Sequence, residues 1–369
     1  MKNLLAIIFI SLLLIGCSGK NEFKFPIIKL NKEKVVKPVL EDREQVVEEI
    51  VEPIVEENEI LESDVRKIAI LYPSSKVGRY ANSTINTISA FLIYNNEKFK
   101  LEAFDTYNEN PMNISAQLEL IKQKEFTKVI TMFTKEGFDV LNELTDIEDI
   151  KFYFPLINKA EVITYNQNFI FGGISYEEQL NLLRSLSSGK NTMFYVKSYL
   201  GSKLKNIYEK TFFETGIVKE IERTNNRYKY IMNDERIKES TIILNTPIVK
   251  SSIILSQLTA FEVEPEKVLS TQLNYNPLLI KLTQPKDREN FYVVSSISKI
   301  DSFIEDYTKL LGSDVAYEWV DYSALVGANY FINENESELI KTKVIENQAD
   351  YEQTLYKSTI YGFENILAN

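Results

Sequence analysis

A chain of 369 residues, 44% hydrophobic and 12% aromatic, has material for one large two-lobed unit or two domains. It contains no histidine, which removes the Ser-His-Asp and Cys-His nucleophile systems and most zinc sites, and its single cysteine leaves no intramolecular disulfide. The net charge is -11, and no basic stripe with interleaved aromatics is present, so a nucleic-acid partner is not expected.

The amino-terminal segment carries Lys2, then an apolar run from Leu4 to Ile15, then Leu14-Ile15-Gly16-Cys17. That run has the length of a signal peptide and is too short to span a bilayer comfortably. The pattern resembles the bacterial lipobox. The resemblance implies that residues 1–16 are a lipoprotein signal peptide and that Cys17, lipidated, becomes the first residue of the mature protein. An uncleaved membrane anchor is the alternative. Ser18 rather than an aspartate follows Cys17, which by resemblance to bacterial sorting signals suggests delivery to the periplasmic face of the outer membrane.

Residues 17–64 read as a charged tether. Ser18 to Val39 holds six lysines and two glutamates, whereas Leu40 to Asp64 holds eleven acids and Arg43 alone. The basic part can lie against anionic head groups, and the acidic part is repelled outward. Pro38 and Pro53 interrupt any long helix, and like charges at this density oppose collapse, so the stretch is expected to be mostly disordered. The alternative is that Val46 to Val55 adds to a partner as a strand or short helix.

From Val65 the pattern changes to strand, turn and helix in alternation. Lys67 to Tyr72 is an apolar strand ended by Pro73, with a helix expected from about Arg79 to Tyr94. Further strands are expected at 99–104, 128–133, 151–156 and 168–172, with helices at 114–124 and 136–144. A second series follows a helix at 176–186: strands near 192–196, 217–221, 241–244, 267–271 and 291–294, and helices at 202–214 and 248–261. Two such series imply an α/β fold of two parallel sheets, each flanked by helices. The run from Tyr351 to Leu367 is less regular, with Leu355, Ile360 and Phe363 as the residues that can pack it onto one lobe.

Ile68-Ala69-Ile70-Leu71-Tyr72-Pro73, Asn191 to Val196 with Tyr199-Leu200-Gly201-Ser202, and Asp321-Tyr322-Ser323-Ala324 resemble, in this order, three landmarks of the periplasmic binding protein type I fold. The resemblance covers roughly residues 66–335. It implies a two-lobed domain over 65–369, with lobe 1 at about 65–175 plus 297–340 and lobe 2 at about 176–296 plus 341–369. Asn158 and the stretch Asn168 to Gln179 look like a segment of the lipoprotein activators of penicillin-binding proteins. In local terms Ser175 is an N-cap and Glu178 its capping-box partner. Amino-acid receptors of the fold tend to carry an arginine here, and none occurs between Lys159 and Arg184.

A small ligand is expected outside the carboxyl ends of parallel strands. That rule selects Ser74 and Ser75 after the first strand and Thr134 after the third, where hydroxyls and helix-end amides can bind a ligand carboxylate. Tyr199 and Asp321 are expected to face them, Asp321 being suited to an ammonium group. Ser74 and Ser75 can equally be caps of the first helix. Ser187-Ser188-Gly189-Lys190 fits a Ser-x-x-Lys pattern but falls in a turn, and Lys341-Thr342-Lys343 lacks the required glycine, so no acyl-enzyme follows. Phe152-Tyr153-Phe154 and Phe291-Tyr292 are strand residues expected in the core.

These readings give two expectations. The leading one is a non-enzymatic, outer-membrane lipoprotein that binds a penicillin-binding protein, a bifunctional peptidoglycan synthase, and promotes peptidoglycan synthesis. The alternative is a lipoprotein binding an amino-acid-like solute for an ABC importer. Neither calls for a catalytic residue, a cofactor or a metal.

Overall fold

The apolar run at 67–72 is strand-forming because parallel strands are covered on both faces and need no polar alternation. The computed structural model describes residues 65–187, 189–213, 216–224 and 226–366. The signal peptide, Cys17 and the tether at 17–64 lie outside the described residues.

In chain order the first series is β1 (Arg66–Tyr72), α1 (Ser74–Tyr94), β2 (Phe99–Asp105), α2 (Pro111–Gln123), β3 (Lys128–Thr131), α3 (Lys135–Asn142), β4 (Lys151–Phe154) and β5 (Phe169–Phe171). The second is α4 (Tyr176–Leu186), β6 (Asn191–Tyr195), α5 (Tyr199–Thr211), β7 (Gly216–Glu220), α6 (Tyr228–Met232), β8 (Thr241–Asn245), α7 (Ile248–Ala260), β9 (Lys267–Ser270), α8 (Pro277–Leu282) and β10 (Phe291–Ser295). The chain then returns through α9 (Ser302–Leu310), α10 (Trp319–Asn333), β11 (Lys343–Ile345) and β12 (Gln348–Asp350), and ends with β13 (Thr354–Ser358) and β14 (Phe363–Asn365).

Two seven-stranded sheets result, ordered β11-β12-β5-β4-β3-β1-β2 and β14-β13-β10-β9-β8-β6-β7. The pairs among β1 to β5 and among β6 to β10 are parallel, and β13 joins β10 antiparallel. This is the two-lobed α/β architecture expected from the alternation. Each sheet is sandwiched. In lobe 1, α1, α9 and α10 cover one face with Phe91, Ile304 and Leu325, and α2 and α3 cover the other with Leu118 and Phe138. Phe152, Tyr153 and Phe154 are fully buried, on opposite faces of β4 as strand alternation requires.

Local chemistry fixes the helix starts. Asn110 accepts from the Met112 amide at 3.0 Å with Pro111 in the first turn, and Ser175 accepts from the Glu178 amide at 3.2 Å. The first helix differs from expectation: α1 begins at Ser74, since the Lys76 and Val77 amides already bond the Pro73 carbonyl and Gly78 does not interrupt the turn.

The expected lobe boundary at 341 also shifts. β11 and β12 extend the first sheet, because Gln348 pairs with Phe171 and the Asn335 carboxamide bonds both main-chain groups of Val344 at 2.8 Å. Only the strands from Thr354 onward join the second sheet. There Leu355 is buried and Phe363 packs on the core, but Ile360 is exposed at the turn between β13 and β14.

Three crossings connect the lobes, following β5, β10 and β12, and a buried polar knot holds them. Gln179 donates from Nε2 to Ser296 Oγ at 2.8 Å and accepts the Gln272 amide at 2.9 Å. Gln272 Oε1 takes the Ser296 amide at 2.6 Å, and Ser296 Oγ donates to Gln353 at 2.9 Å. Beside it, the Gly172 carbonyl accepts from Tyr351 Oη at 2.7 Å and Ser323 Oγ at 2.9 Å. The Gly173 carbonyl accepts from Asn158 Nδ2 at 2.9 Å. The segment from Asn168 to Gln179 and its partner Asn158 thus build the interlobe hinge.

Candidate functional site

In the first sheet β1 lies between β3 and β2, so the chain leaves β1 in one direction and reaches β3 in the other. The crevice at this switch point, outside the strand ends, is where α1 and α3 begin. Ser74 is the first residue of α1. Its amide donates to Asp105 Oδ1 at 3.0 Å, and the same carboxylate oxygen takes the Tyr107 amide at 2.7 Å. Partial burial opposes ionisation of Asp105, yet these bonds from Ser74 and Tyr107 hold its carboxyl below the usual range.

Thr134, the residue before α3, is engaged in the same way. Its amide donates to Glu109 Oε1 and its hydroxyl to Glu109 Oε2, both at 2.6 Å. The Glu109 side chain is fully buried, and Lys76 Nζ bridges it to Glu136 at 2.5 Å each. Burial works against the Lys76 charge, but Glu109 and Glu136 outweigh it and raise the ammonium above its ordinary value. Space for the buried carboxylate comes from Gly137: a Cβ there would lie 2.8 Å from Glu109 Cγ and Oε1.

Ser75 donates its amide to the Tyr107 carbonyl at 2.8 Å, and its side chain is exposed. Ser74, Ser75 and Thr134 therefore stand just past the ends of β1 and β3, but the Ser74 amide and both Thr134 donors are taken by the protein's own Asp105 and Glu109. Neither serine caps α1 through its side chain, since Pro73 occupies the N-cap.

Tyr199 opens α5 at the carboxyl end of β6 and is 74% exposed. Asp321 is elsewhere, a correction to the expected site. It is 2% exposed in the α1–α10 interface, bonded by Ser83 Oγ and by the Asp314 amide at 3.2 Å. Ser83 is nine residues along α1 from Ser74, about 13 Å at the helical rise, so Asp321 does not share the rim of Ser74 and Thr134.

The two rims face each other. Glu161, after β4, pairs with Lys203 in α5 at 2.7 Å. Asn276, after β9, donates to Glu318 at 3.3 Å, and the Tyr275 and Tyr317 rings lie 5.3 Å apart beside it. On the lobe 2 side, at the carboxyl ends of β8 and β9, Asn245 Nδ2, Gln272 Nε2 and Asn274 Oδ1 are buried and lack a protein partner. A 480 Å³ cavity lined by Glu262, Glu266 and Phe291 lies at the opposite, amino-terminal ends of β9 and β10.

Sequence reasoning missed Asp105, Glu109 and Lys76. Each is an isolated charge at a strand end, in a loop or in a first helical turn, with no spacing to mark it. The only available signal was that an acid at 109 directly precedes the Asn110-Pro111 helix start beside the expected site.

No protein-family model matches the chain, and no curated protein matches it. Solved structures do share its fold. A branched-chain amino acid ABC transporter from Thermus thermophilus with bound valine aligns with a TM-score of 0.61 at 11% identity, over 82% of this chain and 96% of that one. A branched-chain amino acid transporter substrate binding protein from Streptococcus pneumoniae, in complex with isoleucine, aligns at 0.59 and 10% identity over 81% and 98%. A solute binding protein of an ABC transporter from R. palustris, in complex with 4-hydroxybenzoate, aligns at 0.58 and 12% identity over 82% and 95%. At these identities the likeness establishes the periplasmic binding protein type I fold. Among the described residues no helix is long and apolar enough to cross a membrane.

Proposed function

We propose that the protein is a non-enzymatic solute-binding protein that holds a small molecule between its two lobes and serves an ABC importer. This reverses the order of the two expectations drawn from the sequence. The observation that carries it is the meeting of two strand-end rims, bridged by Glu161–Lys203 and Asn276–Glu318, with a three-stranded hinge behind them. Solved structures of this fold with valine, isoleucine or 4-hydroxybenzoate bound support the same reading. A solute held in the closed cleft adds RT ln(1 + [L]/Kd) to stability, about 2.7 kcal/mol at a hundredfold excess over Kd. A thermal-shift screen across solute classes tests it, and a flat screen at millimolar concentrations sinks it. Export and anchoring through Cys17 belong to this proposal, with mass spectrometry of the membrane fraction as their check.

The activator reading has one observation in its favour: Glu109 fills the crevice where a ligand anion would sit. A receptor that has given up its ligand can keep the lobes as a docking platform for a penicillin-binding protein. Pull-down and glycan-polymerisation assays with bifunctional synthases decide it. Absence of both binding and stimulation removes this second reading.

A further inference from the structure

We propose a second binding site, for a small organic oxyanion (a carboxylate or a phosphate monoester), at the end of lobe 2 that faces away from the cleft. It goes beyond the solute-binding reading and stands apart from it. Pro285 to Arg288 form a short turn before β10, and its two charged neighbours, Asp287 and Arg288, are served differently. The Asp287 carboxylate takes the Ser256 hydroxyl at 2.8 Å and the Gln284 amide at 3.1 Å. Arg288 is 3% exposed and donates only to main-chain carbonyls, from Nη1 to Thr283 at 3.3 Å and from Nη2 to Thr359 at 3.1 Å. Its Nε has no partner, and among the described residues no carboxylate forms an ion pair with it. Neutral donors would serve two carbonyls as well. A guanidinium adds a full charge, which is costly to take out of water without a counter-charge. Burial opposes that charge, and the nearby Asp287 restores only part of it.

The space beside Arg288 supplies an independent observation. The antiparallel register of Tyr292 with Lys357 sets the end of β13 against the start of β10, at the amino-terminal edge of the second sheet. A 470 Å³ recess opens there, lined by Arg288 together with Lys286 and Lys357, and neither lysine is in an ion pair among the described residues. Glu289 and Glu364, the latter opposite Lys357 in the β13–β14 ladder, border it too, so three cations meet two acids. An oxyanion seated between the lysines supplies the counter-charge that Arg288 lacks. Pro285 and the exposed Ile360 make one side of the recess apolar, which favours an organic anion over an inorganic one.

Calorimetric titration of the full chain at fixed ionic strength tests the assignment with phenyl phosphate, benzoate and benzyl alcohol, which share a ring and differ in charge. Phenyl phosphate or benzoate is expected to bind roughly tenfold more tightly than benzyl alcohol, and the tighter of the two tells phosphate from carboxylate. Arg288 also holds the turn at Thr359, so the variants leave it in place. Lys357→Gln is expected to weaken anion binding about three- to fivefold, and Glu364→Gln, which removes an acid from the same lining, to tighten it. A folding defect would not give opposite signs on one rung of the ladder. Failure of both anions to bind overturns the proposal, as does benzyl alcohol binding as tightly as they do. Anion binding that Lys357→Gln leaves unchanged belongs to another site and overturns it as well, and so does weakening by both exchanges. None of these results removes the solute-binding reading, which the thermal-shift screen tests separately.

Discussion

The buried carboxylate of Glu109 and the bare α-carbon of Gly137 occupy adjoining space: a methyl group at 137 would come within 2.8 Å of Glu109 Cγ and Oε1 and of Phe133 Cγ. Glycine in the first turn of α3 is thus a packing requirement of the filled crevice and not a turn device. Gly137→Ala is expected to destabilise the protein by about 2 kcal/mol, the scale of overpacking in a fixed surround. Urea unfolding reads it directly, and an unchanged midpoint would show that Glu109 is free to swing out.

The hinge knot gives a second expectation. Gln179→Leu removes the acceptor of the Gln272 amide and the donor to Ser296 Oγ, both inside the protein. Stranding one buried amide costs about 1–3 kcal/mol. Glu178→Leu, one residue away on the exposed side of α4, is expected to stay within about 0.5 kcal/mol of the parent. Equal effects of the two changes in equilibrium unfolding would remove the knot from the account of lobe cohesion.

Asp321 sets a pH dependence. Burial, more than the nearby Asp314 charge, raises its carboxyl above the ordinary range despite the bonds from Ser83 and the Asp314 amide. Glu318 beside it is raised as well, by burial and then by Asp321 and Asp314. A folded state that holds a proton more tightly than the unfolded chain gains stability that is complete below the unfolded value and lost as pH rises through the folded one. Asp321→Asn carries no charge to desolvate, so its stability relative to the parent is expected to improve as pH goes from 4 to 7. Urea midpoints at pH 4, 5.5 and 7 with a constant difference would contradict this.

Periodicity and turn residues made the fold legible: the apolar run at 67–72, the cap at Ser175, and the strand–helix alternation all reported local preferences that tertiary packing left in place. The rim was legible only as far as the switch-point rule reaches, which found Ser74, Ser75 and Thr134. It could not show that Glu109, twenty-five residues before Thr134, would return to bond it, because that contact depends on three-dimensional closure between β2 and β3. Asp321 misled for a related reason. Asp321, expected to face the rim and suit an ammonium group, is satisfied instead by Ser83 and the Asp314 amide within the α1–α10 contact. Asn158 and Gly172-Gly173 stand out in the sequence through a resemblance to the activator lipoproteins, whereas their hydrogen bonds assign them to the hinge.

Gly173 and Gly189 separate two reasons for having glycine. At 173 a Cβ would lie 2.3 Å from the Ile157 carbonyl carbon and 2.5 Å from the Asn158 nitrogen, main-chain atoms that cannot rotate aside. At 189 nothing lies within 4 Å, but φ is +60, a conformation that other L-residues enter at a cost of about 1–2 kcal/mol. Gly173→Ala is therefore expected to cost more than about 4 kcal/mol or to prevent folding, since the hinge crossing and the 157–158 turn must part. Gly189→Ala is expected to cost about 1 kcal/mol, and Gly189→Asn less, because asparagine tolerates the left-handed region. Circular dichroism melts of the three variants settle the order. A Gly173→Ala protein that melts with the parent would mean that the crossing after β5 is not held against Ile157, and the hinge described by Asn158, Gly172 and Gly173 would have to be redrawn.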